Sequence, residues 1–411
     1  MPPAPASQRK RNCTVRLVRL IINAAASAAR ARRLTLGALT LSIADFRTPG
    51  KFLFGAGALG ALGHEARRLG RRAVLVTGRR AMAQAGTTAR CQAILAAAGV
   101  ETALFDQVEP EPDVTTVDAC RACIRSHRAE VVIGLGGGSA MDVAKVAAGL
   151  ASEADPTRAF HRGRKVERRG LPLVAVPSTS GTGSEMTNNG VISDRERNYK
   201  ASIRDESLIP AVALVDPEVT LSSPPRVTAT SGVDAMVQAV ESYLSRYATP
   251  MTEAVSLRAA EELFRALPGV VTNGDNLNLR TRAAWGSAMA GLGLSNARLG
   301  VVHGVAHPVG VRFHVPHGLV CGVLLAPALE FNRAAAPEKY AALARLFGKD
   351  PAAYARDLLA SCGLPTDLKE YGLSADAFDA IADESLPSGS TKANPRPVSK
   401  ADIIDMLRAV V

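Results

Sequence analysis

The stretch AEVVIGLGGGSAMDVAKVAAGLA (129–151) places an apolar run, a turn of glycines and a helix-forming segment in immediate succession. An uninterrupted apolar run suits a strand buried on both faces, and the glycines end it. RRAVLVTGRRAMAQAG (71–86) repeats the pattern, and LPLVAVPSTSGTGSE (171–185) supplies a third apolar run that breaks into a Ser/Thr/Gly loop. Buried strands alternating with helices predict a parallel sheet with helices on its faces. Beyond about residue 222 strand-like runs become rare, and Ala/Leu-rich segments at 227–246, 250–266, 279–297, 318–330, 336–347, 351–362 and 400–410 predict helices. The two prolines of SSPPRV (222–227) mark the change. The expected organisation is a leader at 1–44, an α/β domain with a parallel sheet at 45–222 and an all-α domain at 223–411.

A chain of 411 residues is long for one ordinary core, in keeping with two large domains. Its formal charge of +11 invites a nucleic-acid partner, but eight of those charges lie in residues 1–44, a segment without a single acid. They are Arg9, Lys10, Arg11, Arg16, Arg19, Arg30, Arg32 and Arg33, leaving +3 for the remaining chain and no recognisable nucleic-acid module. The leader reads as a disordered extension, with an organelle transit peptide as the alternative. No stretch reaches the roughly 18–20 uninterrupted apolar residues of a membrane span. A cytoplasmic protein with neither nucleic acid nor membrane as partner is expected. The six scattered cysteines form no secreted disulfide framework, and the Cys120/Cys123 pair lacks the second pair of a zinc knuckle.

GLGGGSAMDVAK (134–145) follows a predicted strand and opens a predicted helix. Backbone N–H groups at such a helix start favour an anion, and glycines let a pyrophosphate approach closely. Ser139 is expected to cap the helix or donate to a phosphate. Ser139 also stands where G-x-G-x-x-G needs its third glycine, and no Gly-Lys-Ser/Thr follows, so neither the usual dinucleotide fingerprint nor a Walker loop is present. A phosphate cradle and a tight structural turn both remain open on this loop alone. STSGTGSE (178–185) adds the hydroxyls of Ser178, Thr179 and Thr182 at another strand end. Two such loops together would embrace a dinucleotide at the carboxyl edge of a parallel sheet.

Four of the seven histidines fall within HGVAHPVGVRFHVPH: His303, His307, His314 and His317. His303 and His307 are spaced to share one helix face, and Pro308 is expected to end or kink that helix. His317 opens the next helix. Upstream, SGVDAMVQAVESYLS (231–245) puts Asp234 and Gln238 one turn apart. A carboxylate with imidazoles is a good set for a divalent metal. His314 is read as exposed or structural.

With GGGSAMDVAK, PSTSGTGSE, GVDAMVQAVESY, GVVHGVAHPVG…VPHG and NPRPVSKADI in this order, residues 45–411 resemble the iron-containing (group III) alcohol dehydrogenase family. The resemblance implies a dehydroquinate synthase-like fold: an N-terminal α/β dinucleotide-binding domain, an all-α C-terminal domain, and cofactor and metal meeting in the cleft between. It implies NAD or NADP, a divalent metal (Fe²⁺ or Zn²⁺), a small alcohol or carbonyl substrate and a homodimer. By the same resemblance Gly137, Gly138 and Ser139 hold the pyrophosphate, with Asp142 beside them. Ser178, Thr179 and Thr182 line the cofactor, and Lys200 reaches it. Asp234, His303 and His317 match three of four metal ligands, His307 stands beside the nicotinamide as a proton relay, and Asn189 faces the substrate.

Three departures from the family pattern bear on chemistry. Gln238 stands where the family usually has its remaining histidine ligand, and an amide oxygen is a weaker, harder ligand than imidazole. Gly78, followed by Arg79 and Arg80, replaces the acid that often meets the adenosine ribose, which predicts that NADP is accepted. Arg298 replaces a small residue one helical turn before His303, and facing the cleft it would favour an anionic substrate. The reading is hydride transfer between nicotinamide and a small alcohol or hydroxyacid whose oxygen the metal polarises. Alternatives are a metal-independent reductase of the maleylacetate type and a dehydroquinate synthase-like lyase.

Overall fold

The computed structural model describes residues 45–197 and 199–411. The expectations for residues 1–44 lie outside the described residues. The sheet is six-stranded and parallel, in the order β1–β8–β5–β4–β2–β3. Its strands are β1 (Phe52–Phe54), β2 (Arg72–Gly78), β3 (Glu101–Val108), β4 (Val131–Gly136), β5 (Leu173–Pro177) and β8 (Val212–Val215). Between β5 and β8 the chain inserts an antiparallel hairpin, β6 (Asn189–Asp194) and β7 (Tyr199–Arg204).

Successive side chains of a strand point to opposite faces, and here both faces are covered. Val74, Val76, Val132 and Ala175 pack against α3 (Val114–Ser126) and α4 (Gly138–Gly149). Ala73, Leu75, Ile133, Leu135, Val174 and Val176 pack on the other side against α1 (Leu62–Leu69) and α2 (Thr87–Ala97). The two residue sets alternate along each strand, which is why β4 is buried at every position and reads in the sequence as an unbroken apolar run.

From Pro225 onward the described chain is helical: α5 (Pro225–Leu244), α6 (Pro250–Ala266), α7 (Leu277–Ala297), α8 (Val301–Phe313) and α9 (His317–Asn332). There follow α10 (Pro337–Phe347), α11 (Pro351–Ser361), α12 (Phe378–Ser385) and α13 (Lys400–Arg408). These helices enclose a separate core built around Met236, Val240, Leu263, Val305, Leu324 and Leu358. Sheet and helices nonetheless belong to one compact unit, residues 46–411.

Two local expectations are corrected. Pro308 does not end its helix: α8 runs through it to Phe313 and stops where His314 takes a left-handed φ of 53°. Tertiary packing of the apolar α8 overrides the local proline signal, while His314 itself is exposed. Ser139 does not cap α4; Gly137 is the N-cap, and no side chain caps it.

The loop after β5 meets α7 backbone to backbone. A Cβ on Gly291 would run into the carbonyl oxygen and Cα of Gly183, and Gly183 has φ +58°. The contact fixes the 178–187 loop against the helical layer. Gly291→Ala is therefore expected to destabilise the protein by about 1–3 kcal/mol through overpacking, read as a lower urea midpoint at unchanged slope.

Candidate functional site

The edge of the sheet builds one half of the site. β4 ends at Gly136, and α4 starts at once with Gly137 and Gly138. The facing wall is the loop after β5: Thr179 lies against Gly137, and a Cβ on Gly138 would meet Thr182 Cγ2 at 2.8 Å. The Ser178 N–H donates to the Gly136 carbonyl at 2.9 Å. The sequence-predicted Gly137, Gly138, Ser139, Ser178, Thr179 and Thr182 are thus brought together, with a glycine at the bare helix start. Gly78 lies at the end of β2, with exposed Arg79 and Arg80 after it.

Asp142 lies half-buried one turn along α4. It accepts from Ser184 Oγ at 2.6 Å and from the Val191 N–H at 3.0 Å, so it ties the loop and the hairpin to α4. One turn on, the fully buried Lys145 donates to the Ser184 carbonyl at 2.7 Å and to Thr187 Oγ1 at 2.6 Å. Burial pulls its ammonium down to about 8, against the opposing pull of Asp142 and Glu185. Sequence reading passed over Lys145, although its spacing of three from Asp142 marks a shared face.

The helical half brings Asp234, His303 and His317 to one point. Asp234 lies mid-way along α5, His303 in the first turn of α8, and His317 at the start of α9. The approach of α9 to α5 depends on Gly318, where a Cβ would strike the Thr230 carbonyl. Asp234 Oδ1 lies 3.4 Å from His303 Nε2 and 3.7 Å from His317 Nε2. Cys321 Sγ, one turn after His317, is 3.6 Å from His317 Nε2, and the four donor atoms all lie within 4.8 Å of one another. A tetrahedral ion with metal–nitrogen and metal–oxygen bonds of about 2.0–2.2 Å holds its donors roughly 3.3–3.6 Å apart, and slightly farther for sulfur. Three of the donor pairs come close to that spacing.

Its polar atoms also lack other partners. Asp234 Oδ1 and His303 Nε2 are buried without a hydrogen bond among the described residues, which is costly unless a cation satisfies them. His303 presents Nε2 because its Nδ1 is hydrogen-bonded to Glu241 Oε2 at 2.6 Å, while Glu241 Oε1 accepts the Val302 N–H at 2.8 Å. Carboxylate support of this kind fixes the ring and its tautomer. Burial opposes charge on Asp234, yet the imidazoles of His303 and His317 hold its carboxyl below the ordinary range. Burial likewise opposes an imidazolium at His303, but the surrounding Cys321, Asp234 and Glu241 raise it well above the usual value. Burial pulls His317 down to about 4. The surroundings thus favour one positive charge at the centre, and the donor set fits a divalent metal.

Gln238 lies beside that set, one turn after Asp234 on α5. Its amide nitrogen donates to Asp234 Oδ2 at 2.9 Å, and its Oε1 is buried without a partner. Glu241 and Cys321 are the residues sequence reading missed. Glu241 lies two turns beyond Asp234 on α5, and Cys321 one turn beyond His317 on α9, spacings that put each on the ligand face.

A cavity of about 510 Å³ adjoins the cluster, lined by the β7 residues Lys200 and Arg204 together with Arg298, Gly304, His307 and Glu384 among others. His307 stacks on His317 with ring centroids 5.1 Å apart, and burial, then His317 and Lys200, keep it neutral. Lys200 pairs with Glu111 at 3.0 Å. Arg298 ends α7 with φ 64° and ψ −167°, a region nearly reserved for glycine, at a cost of order 1–3 kcal/mol. Asn189 sits opposite Arg204 in the hairpin, its Oδ1 buried and unpartnered; it is not part of the cavity lining.

Residues 49–217 match the family model for iron-containing alcohol dehydrogenase, and residues 228–411 match the C-terminal model of the same family. The chain belongs to the iron-containing alcohol dehydrogenase family. It is 35% identical to the probable alcohol dehydrogenase EutG of Salmonella typhimurium over 89% of this chain and 94% of that one. A solved 1,3-propanediol oxidoreductase superposes with a TM-score of 0.87 at 31% identity, covering 90% of this chain and all of the other. Sulfoacetaldehyde reductase from Bifidobacterium kashiwanohense, solved in complex with NAD⁺, gives a TM-score of 0.84 at 31% identity over 90% of this chain and 99% of that one. Like other members of the iron-containing family, the chain is an oxidoreductase of CH–OH groups. Because Glu241 orients His303 without belonging to the donor set, Glu241→Gln should weaken metal binding by about 10–100-fold, measured by competition with a chelating dye.

Proposed function

We propose that this family member interconverts a small alcohol with its aldehyde or ketone, using NAD or NADP and one divalent ion held by Asp234, His303, His317 and Cys321. The observation that carries the reading is the pair of buried donors without a hydrogen bond among the described residues, Asp234 Oδ1 and His303 Nε2, beside His317, whose ring stacks on the cavity-lining His307. Cys321 Sγ lies in the donor cluster, and Gln238, whose amide nitrogen donates to Asp234 while its Oε1 has no partner among the described residues, is the alternative fourth ligand. A divalent ion there, Fe²⁺ or Zn²⁺, supplies Lewis acidity towards a substrate oxygen, and the nicotinamide supplies or accepts the hydride.

The chain's own residues do the rest. Glu241 holds the His303 ring so that Nε2 faces the centre. His307, neutral and with Nδ1 buried without a partner, takes and passes on the substrate's proton. Gly137, Gly138 and Ser139 cradle the pyrophosphate at the start of α4, and Ser178, Thr179 and Thr182 close over it. Asp142 and Lys145 position that loop. Lys200 reaches the cofactor from the hairpin, and Asn189 anchors the same hairpin on the substrate side. NAD⁺ in the related sulfoacetaldehyde reductase supports the nucleotide assignment. Among the described residues no helix is long and apolar enough to cross a membrane. A cytoplasmic homodimer acting on small molecules, without nucleic acid or membrane as partner, completes the proposal.

Chelator-stripped protein should lose aldehyde-dependent NAD(P)H oxidation and regain it with Fe²⁺ or Zn²⁺; chelator-insensitive turnover would instead indicate a metal-independent reductase. Loaded with Co²⁺, the protein should show a near-ultraviolet thiolate charge-transfer band that Cys321→Ser abolishes. A band unchanged in Cys321→Ser, or none at all, would return the fourth position to Gln238 or water. Gly78→Asp, which sets a carboxylate against a 2′-phosphate, should lower kcat/KM for NADPH relative to NADH by roughly tenfold or more.

A further inference from the structure

Two arginines in the cavity beside His307 have no carboxylate of their own among the described residues. The cavity lining includes three cations, Lys200, Arg204 and Arg298, and one carboxylate, Glu384. Lys200 is matched by Glu111, and Glu384 by Arg312. Arg204 donates to the neutral Asn188 Oδ1 at 2.7 Å, which holds the guanidinium in place without balancing its charge. Arg298 lies over the Tyr247 ring, 5.0 Å from its centroid, again without an anion. The two guanidinium groups act on each other: Arg204 is pulled down to about 10, first by desolvation and then by Arg298 and Arg47. Both arginines are exposed residues that line this cavity, where an anion from solvent can reach them, and Arg298 keeps a backbone conformation suited to glycine against a local cost.

The arginines do not belong to the pyrophosphate turn. Gly137, Gly138, Ser139, Thr179 and Thr182 are absent from the cavity lining, whereas Gly304 and His307, from the face of α8 that carries His303, are part of it. An anion bridging Arg204 and Arg298 would therefore share the cavity with the proton-relay histidine.

We infer that the substrate carries a carboxylate or sulfonate in addition to its reacting carbonyl, and that Arg204 and Arg298 together bind this anionic end. The chemical class is a short aldehyde or ketone acid, reduced to the hydroxy acid. Planar, multidentate guanidinium groups suit such oxyanions. The inference rests on the dehydrogenase reading above for the reaction but not for the binding, and the test separates them.

Metal-loaded protein is assayed with succinic semialdehyde and with its uncharged methyl ester. The charged substrate should have the higher kcat/KM, and Arg298→Gly and Arg204→Gln should each reduce the charged-to-uncharged ratio by roughly tenfold or more, mainly through KM. Arg298→Gly also relieves the backbone strain, so a folding failure is not the expected result. In parallel, calorimetry on the cofactor-bound protein follows propanesulfonate, a weak metal ligand, whose affinity should fall by a similar factor in both variants. Equal use of the two aldehydes by the wild type, a ratio unmoved in both variants, or propanesulfonate affinity unmoved in both would overturn the inference. Arginine-dependent sulfonate binding without turnover of either aldehyde would uphold the anion site and overturn the proposed reduction of such aldehydes instead.

Discussion

A carboxylate buried without water must be neutralised, and Asp234 is buried among two imidazoles and a thiol with one oxygen unpartnered. Much of the helical layer follows from that constraint. α5 carries the aspartate, α8 and α9 converge to supply the imidazoles, and Gly318 gives up its side chain so that α9 comes close enough. Glu241 then orients His303 from the same helix that bears Asp234. Unmet charge of this kind costs several kcal/mol unless paired, so the arrangement calls for a positive charge, supplied by a His303 imidazolium or by a bound cation.

The sheet half solves a different problem, the placement of a bare helix start next to that charge. Gly136 to Gly138 turn β4 into α4 within a few residues, and the loop after β5 is pinned above them by Asp142 and Lys145 from below and by α7 from the side. These contacts hold the start of α4 and the loop facing it in place. The hairpin β6–β7, inserted where the sheet would otherwise pass directly from β5 to β8, carries Lys200 and Arg204 into the cavity over α8.

The parts legible in the sequence were those with strong local periodicity or clustered chemistry. Strands buried on both faces, such as β2, β4 and β5, read as apolar runs, and the long Ala/Leu-rich helices announced themselves. β3, with polar residues at half of its positions, and the hairpin strands NGVISD and YKASIR contain no unbroken apolar run. Of the two outcomes expected at Pro308, a break or a kink, the break does not occur, because the burial of Val301–Ala306 and Val309 against the core outweighs a local preference. Asp234, His303 and His317 stood out as residue types with few other uses in an apolar surrounding. Glu241 and Cys321 did not, since a glutamate near a helix end and a lone cysteine are ordinary until the fold shows what they face. Arg204 was invisible for the same reason: only the folding-back of the hairpin sets it beside Arg298.

A guanidinium pair gripping a charged tail has a kinetic corollary. The tail is a spectator, identical in aldehyde and alcohol, so its grip is felt equally by reactant, activated complex and product. Such uniform attachment does nothing for the speed of the chemical step; it lets the enzyme capture its substrate when that substrate is scarce. It also retains the product, so departure of the hydroxy acid, or the breathing of the hairpin that carries Arg204, becomes the natural bottleneck of each cycle.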